Sequence, residues 1–208
     1  MSVNDYDEVK ICTAALTLIG EDPIDTITDP ETDVEATCAT LLPLVIATLL
    51  SKHEWNFANP IRELAVNADE PGKFGYTYAH RLPSDLIAGP FAVYGNNNTR
   101  RPTQNYENAN DHIYSDFEII HARYRIKPAI TIMPIYFIDL IVTVLGMRLA
   151  KPVADNTDLA TELRILAFGP AELDGKGGMF ADAKNIDAKS QPIRSMFANG
   201  DPLSATRY

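Results

Sequence analysis

The sequence predicts a mixed α+β protein, mainly helical. We expect an antiparallel bundle of about four helices, a small inserted antiparallel β-sheet and an extended C-terminal arm. Three observations carry this. Apolar residues recur at helical spacing on both flanks of the chain. The middle, from Lys73 to Lys127, is rich in β-formers. The stretch Ile130 to Ala150 is the most apolar run of all, and a helix apolar on every face is buried on all sides or sits in lipid. Asp139 and Arg148 interrupt it, and its longest charge-free piece, Pro128 to Ile138, is well short of the roughly 20 residues a membrane span needs. It reads as a central buried helix, with Pro134 in its first turn and Lys151-Pro152 marking its stop.

The first helix opens at Asp5-Tyr6-Asp7-Glu8, which resembles a capping box. Val9, Cys12, Leu16 and Ile19 then recur at helical spacing until Gly20 and Pro23 end it. A second helix is expected from Asp29-Pro30-Glu31, with Val34, Cys38, Leu41, Val45 and Leu49 in one stripe. Pro43 inside that stripe predicts a kink or two stacked helices. Trp55 and Phe57, just past its end, wedge into the core or into a subunit contact. Residues 59–72 are polar and end in a turn signal, Asp69-Glu70-Pro71-Gly72.

In the β region, Gly95-Asn96-Asn97-Asn98 is a turn and Ser115-Asp116 is expected to turn a second hairpin. Ile120, Ala122, Tyr124 and Ile126 alternate with His121, Arg123 and Arg125, one face in and one face out. Beyond the central helix, Asp155-Asn156-Thr157 caps a fourth helix carrying Leu159, Leu163, Leu166 and Phe168, which Gly169-Pro170 breaks. Gly175, Gly177 and Gly178 weaken the helical pattern after that break, although Met179, Ala183 and Ile186 fit one more helical segment. From Ser190 to Tyr208 the sizeable apolar residues are Ile193, Met196, Phe197 and Leu203, too few to support order alone, so this end is disordered or an arm that orders on a partner. The units are therefore 1–70 (helical pair), 71–128 (β insert), 129–188 (central and following helices) and 189–208 (arm).

Composition bounds the function. A chain of 208 residues with 46% hydrophobic and 22% charged content is that of a soluble globular protein. The acidic start, Met1 to Lys10, lacks the apolar region of a signal peptide. Cys12 and Cys38 do not make a disulfide framework and read as buried free thiols. The net charge is −10, and residues 1–35 hold ten acids against one base. Such a chain is not expected to grip nucleic acid by phosphate neutralisation, which needs clustered Lys and Arg.

Chemistry is sparse, and no enzyme activity, cofactor or metal is expected. His53-Glu54 invites comparison with a His-Glu-x-x-His zinc helix, but position 57 is Phe. His53, His80, His112 and His121 are scattered, and there is no phosphate loop and no Gly-x-Ser-x-Gly elbow.

Several segments, taken in order, resemble the tail tubular protein A family, the head-to-tail adaptors of short-tailed phages. The family's Ile-Gly-Glu-x-Pro ending of a small-residue helix is matched by Ile19-Gly20-Glu21-Asp22-Pro23. Its Trp-x-Phe helix end is matched by Trp55-Asn56-Phe57, and its Leu-Pro-x-Asp motif by Leu82-Pro83-Ser84-Asp85. Ala122 to Ile126 is similar to the strand before its long apolar helix, and Ile135 to Ala150 to that helix. The likeness covers about residues 10–170. The Gly-rich segment 175–178 departs from the continuous charged helix of the family.

The resemblance implies a structural virion protein, made in the host cytoplasm and located at the head-to-tail junction. It would form a homo-oligomeric ring, commonly of twelve copies, between a portal protein and a tail nozzle protein, with DNA passing through the lumen without sequence-specific binding. Under that reading Ile193, Met196 and Phe197 are expected to dock on the portal. The acidic residues Glu21, Asp22, Asp25 and Asp29 are candidates for the lumen, where they would repel phosphates. The loops around Gly95 to Arg101 face a neighbouring subunit or the nozzle. Two rivals stand beside it: a non-viral acidic helical protein-binding module without enzymatic activity, and a small hydrolase using His53, Glu54 and a distant acid.

Overall fold

The computed structural model describes residues 4–96, 99, 101–173 and 177–190. Among them are five α-helices and two small antiparallel sheets, a mixed α+β protein. The helices are α1 (Glu8–Ile19), α2 (Asp33–Lys52), α3 (Ile135–Leu149), α4 (Thr157–Phe168) and α5 (Gly178–Lys189). The six strands, β1 (Ile61–Leu64), β2 (Tyr78–Arg81), β3 (Leu86–Gly95), β4 (Glu107–Ala109), β5 (His112–Ser115) and β6 (Ile120–Ile126), all lie between α2 and α3.

The caps explain where the helices begin. Asp7, not Asp5, caps α1, its carboxylate accepting the Lys10 N–H at 2.8 Å. The Asn4 side chain donates to the carbonyls of Ile130 and Met133, which fixes the preceding residues on the approach to α3. Gly20 ends α1 at φ +82, a left-handed conformation that suits glycine. α2 starts at Asp33 rather than at Asp29-Pro30-Glu31. Thr32 accepts from the Glu35 N–H at 3.2 Å and Glu35 accepts from the Thr32 N–H at 3.0 Å, so a reciprocal capping box sets the start. α2 is one continuous helix through Pro43, not two stacked helices. Pro43 is on the exposed side of the helix, where its ring meets solvent and the missing N–H removes one helical hydrogen bond.

α3 is the hub. Every residue from Leu140 to Gly146 is buried. α1, α2, α4 and α5 all pack against it. α1 lies close to α3 at Gly146, where a Cβ would meet the Ala15 carbonyl oxygen at 3.4 Å. α2 is also long and apolar enough to cross a membrane. Its stripe of Cys38, Leu42, Val45, Ile46 and Leu49 is instead part of the helical core, and Thr37, Thr40 and Thr48 satisfy their hydroxyls on the carbonyls four residues back. In α4 the inward residues are Leu163 and Ala167, whereas Leu166, expected inside, is exposed.

In place of the single expected sheet, two form: β1-β6-β3 and β2-β5-β4. β1 lies within the polar stretch 59–72, ahead of the expected start of the β region. Ser115-Asp116 is not a hairpin turn. β5 and β6 belong to different sheets, and the residues between them cross from one to the other. The tight hairpin is β4–β5, turned by Asn110 and Asp111, both at positive φ. Isolated bridges Val66–His80 and Val93–Thr103 link the segments beside each sheet to β2 and β3, so one edge strand of each sheet is engaged at a single position. Val93, Ile113, Ile120, Ala122 and Tyr124 fill the space between them as a second core, separate from that of the helices. β6 keeps its predicted alternation except at Arg125, which is buried.

Candidate assembly surfaces

The acidic residues Glu21, Asp22, Asp25 and Asp29 sit together on the loop between α1 and α2. Asp22, Asp25 and Asp29 are exposed and Glu21 is half-buried. Ile24 anchors the loop in the helical core, its carbonyl accepting from the Thr13 hydroxyl at 3.4 Å. Among the described residues none of the four acids makes an ion pair. The loop is thus a fixed, uncompensated patch of negative charge.

Trp55 and Phe57 come together in an aromatic cluster at the C-terminal end of α2. Trp55 is fully buried, edge-on to Phe137 (4.9 Å between centroids) and Phe180 (5.9 Å), and its indole N–H donates to the Leu49 carbonyl at 2.8 Å. Phe57 is half-buried, 4.9 Å from Phe137. Beside them lies a residue that sequence reasoning missed. Asp187 on α5 is buried, accepts the Tyr136 hydroxyl at 2.8 Å and the Asn56 N–H at 2.9 Å, and so clamps α5 to α3 and to the turn after α2. Burial, then Asp187, pushes the Tyr136 hydroxyl up from its usual range. Burial holds the His53 imidazole below its usual range. The only sequence hint at Asp187 is an acid at an inward position of a weak helical pattern.

Where the helical and β units meet, two further polar residues are buried. Asn59 is 5% exposed with neither amide atom paired, and Arg125 is 6% exposed with its Nε unpaired and its guanidinium over the Phe91 ring at 5.2 Å. Nothing in the local sequence marks Asn59. Arg125 sits on the alternating strand at a position expected to face out.

Ser115 Oγ is 3.5 Å from His80 Nε2, the one serine–histidine approach among the described residues. Both residues are wholly buried, and the ring nitrogens of His80 already face the carbonyls of Leu64 and Phe117. Among the described residues no three His, Cys, Asp or Glu side chains cluster as metal ligands. Cys12 and Cys38 are free and buried, and the Cys12 thiol is raised by its neighbour Cys38 and by burial. An open depression of about 690 Å³ lies at one end of the β unit between Arg81, Pro83 and Asp111.

The proposed arm residues Ile193, Met196 and Phe197 lie outside the described residues, as do Asn97, Asn98 and Arg100 of the β3 loop. Asn96, at φ +52, starts that loop, and Arg101 is exposed.

Fold and site together define a helical protein organised on one buried helix and interrupted by a six-stranded β unit, with an acidic loop on the helical side. No family model matches the chain, and no curated protein matches it.

Proposed function

We propose that this chain is a structural virion protein, a head-to-tail adaptor. It would assemble as a ring, with twelve copies the expected number, between a portal and a tail nozzle. The ring subunit would be an antiparallel helical bundle with an extended C-terminal arm, and the protein would have no enzymatic activity of its own.

One observation carries the reading: the motifs behind the resemblance occupy matching places in the fold, three of them at junctions, one in a strand and one as the central helix. Gly20 of the Ile-Gly-Glu-x-Pro segment is the left-handed cap of α1. Trp55-Asn56-Phe57 closes α2 onto the core. Leu82 to Asp85 joins β2 to β3, and Ala122 to Ile126 lies in the strand that leads to α3. The acidic loop supports a conduit role, since fixed negative charge at a lumen lets DNA slide rather than stick. Ile193, Met196 and Phe197 are the proposed portal anchors, because a few apolar side chains in a polar arm suit coupled folding and binding.

The test is native mass of the purified protein, alone and with portal rings from the same source. A monomer near 23.0 kDa that adds to the portal as a complete ring supports the reading, as does a ring formed without the portal. A monomer or dimer that ignores the portal overturns it and favours the acidic protein-binding module.

A further inference from the structure

A groove of about 300 Å³ runs between α1 and α3, walled by Tyr6, Ala14, Ile135, Tyr136 and Val142, with Asp139 beside them. Ile135 is 58% exposed, the most exposed large aliphatic side chain among the described residues, and nearby Ile132 is 40% exposed. Asp139 is exposed, and among the described residues its carboxylate has neither an ion pair nor a hydrogen bond.

The chain leaves α5 beside this groove. Asp187, in the last turn of α5, holds the hydroxyl of Tyr136, a groove wall, at 2.8 Å. Ser190, the last described residue, reaches Asn56 Nδ2 with its hydroxyl at 3.4 Å. Residues 191–208 continue from that point. Ile193 lies three residues on, within about 10 Å of chain, and Phe197 within about 25 Å. Arg194 follows Ile193 and matches the unpaired Asp139 in charge.

We propose that residues 193–197 of the same chain seat in the α1–α3 groove, with Ile193 and Met196 over Ile135 and Arg194 paired to Asp139. The occupant is the chain's own segment for two reasons. A short tether gives an effective concentration of order millimolar, far above that of a second free copy. A groove with two exposed aliphatic residues is also small beside the roughly 1,200–2,000 Å² that a stable interface between copies buries. The seated arm covers apolar surface in the free monomer, and a partner that takes Ile193 and Met196 must first draw them out. This inference does not rest on the adaptor reading, because it concerns the lone chain.

The experiment uses the full chain with Asp139→Cys and Arg194→Cys, oxidised mildly and followed on a non-reducing gel. Cys12 and Cys38 are buried and do not compete. The expected product is a monomer with an internal disulfide. Adding Ile193→Asp should slow its formation roughly tenfold or more, the effect of removing one buried aliphatic group. Equal rates with and without Ile193→Asp overturn the proposal, because they describe an unbound arm. Disulfide-linked dimers overturn it in favour of a second copy, and absence of any link also overturns it. A second readout needs no cysteine: Ile193→Asp in the otherwise unaltered chain should raise the fluorescence of an apolar-surface dye, and an unchanged signal counts against the seated arm.

Discussion

Trp55 holds the end of α2, the turn after it and α3 in one place, because its ring touches Phe137 and Phe180 while its N–H closes on Leu49. Trp55→Ala should therefore cost about 3–5 kcal/mol in a denaturant melt, the range for a buried aromatic whose cavity collapses poorly. Glu35 makes a different kind of prediction. The N–H groups of Glu31 and Thr32, in that order, hold its carboxyl below the usual range. The folded value then lies below the unfolded one. The contribution is complete above the unfolded value, about pH 4.3, and is lost as pH falls through the folded value. Glu35→Gln should lower the melting temperature at neutral pH, and its curve should converge with that of the parent in acid. A constant gap at every pH would show that the charge of Glu35 contributes nothing.

Whole elements depend on their ends. Thr32→Ala removes one half of the box at the start of α2 and should cost roughly 1 kcal/mol. Gly20→Ala tests the left-handed cap of α1 cleanly, because a Cβ there meets nothing within 4 Å. The loss, about 1 kcal/mol, is then conformational rather than a clash. α5 is held by Asp187 together with Phe180 and Ala183, its other buried residues among those described. Asp187→Ala should speed amide hydrogen exchange over residues 178–189 while leaving the β unit unchanged. Uniform acceleration across the chain would mean that α5 and the rest unfold as one. Sequence pattern places the starts of both early helices a few residues too soon. Several acids compete for each cap there, and the winner is fixed by a tertiary contact at Asn4 and by the reciprocal bonds of Thr32 and Glu35.

For the molecule as a whole, charge is the lever. Asp22→Asn, Asp25→Asn and Asp29→Asn together remove three exposed, unpaired charges from one loop. Melting temperature and native mass should stay the same, since no ion pair among the described residues is lost. Under the adaptor reading, DNA delivery should slow, most visibly at low salt where the field is least screened. Delivery at the parent's rate would remove the loop from the lumen.

Periodicity in the sequence determined the mixed class, the buried α3 and the β character of the middle. Each rests on local composition, and a run such as Leu140 to Gly146 can be satisfied only by burial on every side. The tertiary structure alone decided that the strands divide into two sheets. Ser115-Asp116 looks like a turn in sequence, but His80 and the bridges to Val66 and Thr103 reward pairing across distant segments. It also decided that Asp187, Asn59 and Arg125 are interior. A polar side chain carries no local sign of burial, and whether it is enclosed depends on partners far along the chain.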